Sequence, residues 1–219
     1  MKLGILYSGG KDSTLALMKA QKFHEIECLI SIISENKESY MFHTPNIDVT
    51  LLQSQAMGIP LVRVVTKGEK EEELDDLKKA IQEAVEKYSI EGIVTGAVRS
   101  TYQASRIQKI CHELELWCFN PLWLMNQVEL LHEVIENEIR AIISGVFAEP
   151  LDESYLGKEI DAEMIKKLSK QQNPAGEGGE IETTTLDAPI FKKKIIVTKH
   201  STQYAKYSGV YTIEDARLE

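Results

Sequence analysis

At the end of a short apolar run, Leu3 to Tyr7, stand Ser8, Gly9, Gly10, Lys11, Asp12 and Ser13, followed at once by a helix-like stretch from Thr14 to Phe23. Adjacent glycines that take positive φ leave room for an anion to touch backbone N–H groups, which the following helix aims outward with the positive end of its dipole. Lys11 adds a full positive charge, and Ser8 and Ser13 add hydroxyl donors. Asp12 stands where it could cap the helix or hold a magnesium ion. The natural guest of such a loop is a triphosphate. Two familiar alternatives fail: Gly10 occupies the place of the Walker lysine, and no glycine follows Gly9 at the spacing of a dinucleotide fingerprint.

A second cluster lies between Asn173 and Glu182, where Pro174, Gly176, Gly178 and Gly179 are interleaved with Glu177, Glu180 and Glu182. The glycines and proline alone would suit a flexible hairpin. Carboxylates held this close repel one another, however, and a cation or amine in the site is a reason to keep them together. The loop is therefore expected to face the nucleotide and receive a second substrate. Tyr40-Met41-Phe42-His43-Thr44 offers a further titratable group, His43, which could equally satisfy a helix start.

These groups need a scaffold, and apolar runs alternating with helical patterns supply one. Strands are expected at Leu3 to Tyr7, Glu27 to Ile33, Leu61 to Val65, Gly92 to Thr95 and Trp117 to Phe119. Helices are expected near 14–23, 46–57, 70–88 and 101–114, the second starting at Thr44-Pro45 with a hydroxyl cap and a proline in its first turn. The third places Leu74, Leu77, Ile81, Val85 and Tyr88 on one face, and its acidic run is a solvated surface. Right-handed crossovers then give an α/β, doubly wound, parallel sheet of five strands in the order 3-2-1-4-5. Strands one and four become neighbours where the winding reverses, and ligands bind outside the carboxyl ends of such strands. The loop Thr95-Gly96-Ala97-Val98-Arg99-Ser100-Thr101-Tyr102-Gln103 after strand four would thus meet the phosphate loop on one ligand.

Near Trp123 to Asn126 the pattern changes, which divides the chain into regions 1–125 and 126–219, the second a smaller α+β region. It opens with a long helix expected from Gln127 to Ile143, burying Leu130, Val134, Ile135, Ile139 and Ile142. A helix around Asp161 to Gln172 and strand-like segments at Ile181 to Leu186 and Lys194 to Lys199 follow.

With 219 residues, 43% of them hydrophobic, the chain can bury one full core and a smaller second one. No apolar stretch approaches the roughly 18 residues that cross a bilayer. The first strand starts directly after Met1-Lys2 with no signal peptide, so a cytoplasmic protein with no membrane partner is expected. Cys28, Cys111 and Cys118 form no Cys-x-x-Cys pair and read as core residues. A formal net charge of −9 argues against a nucleic-acid footprint, and Lys192 to Lys194 read as a solvated strand end. Homo-oligomeric assembly is left open.

Ser8 to Ser13 resembles the pyrophosphate loop of the N-type ATP pyrophosphatases, an adenine nucleotide alpha-hydrolase-like superfamily that cleaves ATP to AMP and pyrophosphate. Three further segments narrow the resemblance to the diphthine–ammonia ligase, or diphthamide synthase, family in its short, archaeal-type form. They are Glu91 to Val98 with Ser100, Tyr102, Gln103 and Arg106; Pro121-Leu122-Trp123; and Gly176 to Thr183. One departure is Leu186-Asp187-Ala188-Pro189, where glycine is expected between the aspartate and the proline.

The resemblance implies that ATP and Mg2+ activate the carboxylate of diphthine, a modified histidine on translation elongation factor 2. Free ammonium then converts the acyl-adenylate to an amide. It implies region 1–125 as the ATP-binding pyrophosphatase domain and region 126–219 as substrate-binding. The catalytic groups would be Lys11, Asp12, Glu177 and Glu180, with Asp12 on the metal. ATP would rest on Ser8, Gly9, Gly10, Lys11, Asp12, Ser13, Gly96 and Ser100. The acceptor would meet His43, Tyr102, Gln103, Arg106, Gly178, Gly179 and Glu182. Arg106 could pair with a phosphate, with the substrate carboxylate or in a structural ion pair. A carboxylate of the glutamate loop or His43 could take the proton from ammonium, and the residues do not choose between them. Two competing functions remain: a tRNA-modifying enzyme with the same ATP chemistry, which calls for a basic surface absent here, and an ATP-binding sensor that releases no pyrophosphate. Lys11, Asp12 and the complete glutamate loop argue against the sensor.

Overall fold

The computed structural model describes residues 1–36, 45–69 and 72–219. Five parallel strands form the first sheet: β1 (Lys2–Leu6), β2 (Glu25–Ser34), β3 (Leu61–Thr66), β4 (Gly92–Val94) and β5 (Trp117–Phe119). Their order is β3-β2-β1-β4-β5, as expected, so β1 and β4 are neighbours at the reversal of winding. Strands buried on both faces read as near-continuous apolar runs, and Leu3, Ile5, Leu29 and Ile93 are wholly buried.

Helices α1 (Lys11–Ala20), α2 (Thr50–Met57), α3 (Glu72–Tyr88) and α4 (Thr101–Glu113) connect these strands. In α3, Leu77 and Ile81 are fully buried together with Ala80 and Ala84. Before α2 the chain makes a 3-10 turn, Ile47–Val49, entered through Asn46 with φ 62, so the α-helix proper starts at Thr50 rather than at the proline. The expected cap Thr44, like His43, lies outside the described residues. Cys28 and Cys111 are buried and Cys118 half-buried, all free thiols.

The helix expected over Gln127 to Ile143 is cut short: α5 (Gln127–Glu136) is followed by the strand β6 (Arg140–Val146). Asn137 closes the helix, Glu138 turns the chain at φ 56, and the β-branched residues beyond enter a sheet instead. A short α6 (Ala162–Leu168), capped by Asp161, precedes β7 (Ile181–Asp187), β8 (Ile195–Ala205) and β9 (Ser208–Leu218). These strands form an antiparallel sheet ordered β7-β6-β9-β8. The hairpin β8–β9 turns on Lys206 and Tyr207, at φ 50 and 62. At the Asp187-Ala188 departure Ala188 needs no glycine: its φ is not positive, and its N–H donates to Asp187 Oδ1 at 3.0 Å. One hydrophobic core runs from Leu3 and Leu17 through Leu130 and Ile143 to Ile181, joining the two sheets.

Candidate active site

Between the carboxyl ends of β1 and β4 and the edge of β7 lies a cleft of about 670 Å³. The phosphate loop forms one wall. Gly9 takes the left-handed conformation, φ 82, but Gly10 does not: it is the N-cap of α1 with φ −85 and extended ψ. Gly10 is small for another reason, since a Cβ there would stand 3.2 Å from Thr183 O and Oγ1. Asp12 sits in the first turn of α1 and makes no cap.

The backbone donors of this turn divide into used and free. Lys11 N–H donates to Thr183 Oγ1 at 3.1 Å, and Thr14 N–H to Gly10 O at 3.1 Å. Among the described residues no partner takes the N–H of Gly10, Asp12 or Ser13. Free N–H groups at a helix start are what an anion satisfies. Lys11 is 2% exposed, and its Nζ donates to Ala175 O at 2.7 Å and to Asp12 Oδ2 at 2.8 Å. An ammonium has three donors, so one remains for the cleft. The hydroxyls of Ser8 and Ser13, 3.3 Å apart, complete this wall.

Gly96 closes the loop from the β4 side. A Cβ on it would lie 2.9 Å from the Asp12 carbonyl carbon and 2.9 Å from Ser13 N, both backbone atoms. Gly96→Ala should therefore push the first turn of α1 out of place. The expected result is an ATP affinity reduced at least about tenfold by calorimetry, with overpacking costing about 1–3 kcal/mol of stability; unchanged affinity would show that the turn does not carry the nucleotide. Ser100 caps α4, its Oγ accepting from Gln103 N–H at 3.3 Å, and both residues line the cleft.

The glutamate loop forms the opposite wall, and its three carboxylates have different settings. Glu177 lines the cleft and accepts from Arg99 N–H at 3.0 Å. Burial, and then the nearby Asp12 charge, push its carboxyl above the ordinary value, against the pull of Lys11 and Arg99. Glu182, on β7, also lines the cleft. Burial foremost pushes it up to about 7; Lys11 opposes this, and Asp12 and Glu177 add to it. Glu180 turns away from the cleft, accepting from Asn173 Nδ2 at 2.6 Å and from Gly178 N–H at 2.9 Å. Its carboxylate braces the loop, because a short Gly-rich turn leaves N–H groups for a nearby acceptor.

Of the other residues singled out in the sequence, Gly178 and Gly179 line the cleft and Gly179 takes φ 83. Tyr102 and Arg106 do not line it: the Arg106 guanidinium carbon lies 3.5 Å over the Tyr102 ring, a cation–π contact on the flank of α4. Several participants have no local signature in the sequence. Gln53, wholly buried on α2, donates to Gly9 O at 2.9 Å and to Thr185 O at 2.8 Å. Gln127 reaches across to the glutamate loop, donating to Asn173 Oδ1 at 3.2 Å and accepting from Ala175 N–H at 3.0 Å. Only their place in the fold reveals them.

An anion-seeking loop at the switch point of a parallel α/β sheet, faced by Glu182 of the second sheet and Glu177 of the loop before it, defines a phosphate-loop protein of the nucleotide-binding kind with an acidic wall opposite. Comparison with known proteins narrows the class. Residues 1–117 match the diphthamide synthase N-terminal domain and residues 126–218 the diphthamide synthase C-terminal domain, and the chain belongs to the diphthamide synthase family. It is 37% identical to the diphthine–ammonia ligases of Bos taurus and Homo sapiens, in each case over 90% of this chain and 83% of the relative. The diphthine–ammonia ligase of Schizosaccharomyces pombe is 34% identical over 90% of this chain, which spans 36% of that longer protein. A solved structure of a predicted subunit of tRNA methyltransferase, from Methanocaldococcus jannaschii, overlaps 86% of this chain and 98% of its own with TM-score 0.46 and 18% identity.

Proposed function

We propose that this chain amidates diphthine on translation elongation factor 2 to diphthamide, using ATP and ammonium and releasing AMP and pyrophosphate. One observation carries the reading: free N–H groups and the Lys11 ammonium face the Glu177 and Glu182 carboxylates across a single cleft. A triphosphate needs the first wall, and an ammonium ion needs the second.

In the first step the diphthine carboxylate forms a bond to the α-phosphorus as the bond to the pyrophosphate oxygen breaks. The attacking group is already ionised, so the step calls for charge neutralisation and in-line positioning rather than a strong base. Lys11 and the N–H groups of Gly10, Asp12 and Ser13 hold the leaving pyrophosphate, with Ser8, Ser13 and Ser100 around it and Gly9 and Gly96 giving it room. Asp12 Oδ1 is buried without a hydrogen-bond partner, and among the described residues no cluster of three or more metal-ligating side chains occurs. That donor set fits Mg2+, which takes one or two carboxylates and fills its shell with phosphate oxygens and water. When bound, Mg2+ would offset phosphate charge.

In the second step ammonium gives up one proton to a carboxylate of the acidic wall, the nitrogen forms a bond to the acyl carbon as the bond from that carbon to the AMP phosphate oxygen breaks, and the second proton leaves the nitrogen with the departing AMP. Glu177 and Glu182, which line the cleft, take this role, whereas Glu180 keeps the loop in shape. Gln103, Gly178 and Gly179 border the acceptor, region 1–125 carries the nucleotide, and region 126–219 presents the acidic wall. The setting is the cytoplasm, where elongation factor 2 works.

The test is mass spectrometry of elongation factor 2 bearing diphthine after incubation with this protein, ATP, Mg2+ and ammonium chloride. The expected result is the small mass decrease of hydroxyl replaced by amine at the modified histidine, dependent on ammonium and matched by AMP and pyrophosphate. AMP release without that change, or no AMP, would overturn the reading.

A further inference from the structure

We infer that Gln53 is a positioning residue for the pyrophosphate part of the nucleotide: it fixes the Gly9–Gly10 peptide so that the Gly10 N–H points at the bound anion. The inference rests on the ATP reading above and adds a residue outside the cleft lining to it.

A planar trans peptide points its C=O and its N–H in opposite directions, so whatever holds one aims the other. Gly9 O accepts two hydrogen bonds, one from Gln53 Nε2 at 2.9 Å and one from Thr185 N–H at 2.9 Å. Both donors lie behind the loop, one on α2 and one on β7. The Gly10 N–H at the other end of this peptide has no partner among the described residues. Gln53 Nε2 also donates to Thr185 O at 2.8 Å, so one amide ties the peptide to the strand that braces it.

Simple packing does not explain a glutamine here. Its side chain is 0% exposed, and its Oε1 is buried without a hydrogen-bond partner, an arrangement that apolar packing alone would avoid. The amide is also packed close against the loop: a Cβ on Gly9 would lie 2.6 Å from Gln53 Oε1, so with the glutamine in place the residue at φ 82 has no room for a side chain. Lys11 N–H donating to Thr183 Oγ1 and Thr14 Oγ1 donating to Thr185 Oγ1 at 3.1 Å fasten the next turn to the same strand. The anion site is thus held open from the second sheet, with Gln53 as the bolt.

The experiment compares wild type with Gln53→Met, of similar length but without donors, titrated with pyrophosphate and with AMP by calorimetry. The expected result is a pyrophosphate Kd raised at least about tenfold, the scale of losing one preorganised hydrogen bond to a charged site, with the AMP Kd changed less than about twofold. In turnover the variant should raise the KM for ATP and leave the KM for ammonium in place. Equal weakening of both ligands, or of neither, would overturn the inference. In the wild-type chain, independently of any variant's folding, the Gln53 side-chain amide resonance should shift on addition of pyrophosphate and stay put with AMP; an unmoved resonance would also overturn it. Failure of the ATP reading itself would look different, since wild type would then bind neither ATP nor pyrophosphate.

Discussion

Lys11→Met should reduce diphthamide formation by about 10²–10³-fold, the usual cost of removing one preorganised donor from a developing anion. Methionine keeps the length and apolar stem of the side chain, so the 2% exposed slot stays filled while the charge and three donors are lost. Two consequences separate from one another. Ala175 O loses the donor it has in Lys11 and remains buried, which should lower stability by about 1–3 kcal/mol and register as a fall in Tm. The ammonium proposed to face the leaving pyrophosphate is also lost, which should appear in AMP release measured well below that Tm. A lysine that only stapled the phosphate loop to the glutamate loop would show the first effect without the second. AMP release within about threefold of wild type in a folded Lys11→Met protein would reduce Lys11 to such a staple, since a tenfold loss marks only about 1.4 kcal/mol of transition-state stabilisation.

The first sheet was legible because each of its signals is local. Apolar runs such as Leu3 to Tyr7 can be buried on both faces only in a covered parallel sheet, and a helical pattern follows each of them. The meeting of the phosphate loop with Gly96 followed from strand order alone. The second region was less legible for a definite reason. Ile135, Ile139 and Ile142 satisfy the spacing of a helix face, while residues 139–143 suit a strand equally well; nothing short of the turn at Asn137 and Glu138 decides between them. The hairpin β8–β9 turns on Lys206-Tyr207 with both residues left-handed, a geometry that sequence usually announces with Asn-Gly.

Within the site, spacing could gather three glutamates but could not aim them. Glu180 bends back because Asn173 Nδ2 and the Gly178 N–H wait inside its own loop, and that is a tertiary fact. Gln53 was invisible for a similar reason: a glutamine on an amphipathic helix reads as surface until the loop it supports is folded against it. Residues that touch the ligand tend to carry composition cues. Residues that hold those residues in place do not, because any donor at the right height would serve.

Glu182→Gln should make the protein more stable at pH 8 and nearly inactive as an amide synthase. The carboxyl of Glu182 is raised from 4.5 to about 7, chiefly by burial, with Asp12 and Glu177 adding to the effect of burial and Lys11 working against it. The unfolded chain releases this proton near the lower value and the folded protein near the higher one. Between them the folded state binds more protons, so its stability falls as pH rises, by up to about 3 kcal/mol across that window. Glutamine has no proton to lose, and the variant's advantage in Tm should appear at pH 8 and vanish near pH 5. On the proposed reading, a charge this costly to bury is kept because a base with a raised affinity for protons is well matched to an ammonium ion at neutral pH. The variant should therefore lose about 10²–10⁴-fold in ammonium-dependent amide formation, the range of general base catalysis, while AMP formation in the first half-reaction persists. The wild type takes ammonium and the variant must wait for ammonia already free in solution, so the ratio of wild-type to variant rates should hold steady below pH of about 7 and fall as pH rises above it. Hydroxylamine, which is already the neutral amine at pH 8 and needs no base before it attacks, should restore acyl transfer in the variant. If it restores nothing, or if the rate ratio stays flat above pH of about 7, Glu182 shapes the pocket and the proton goes to Glu177.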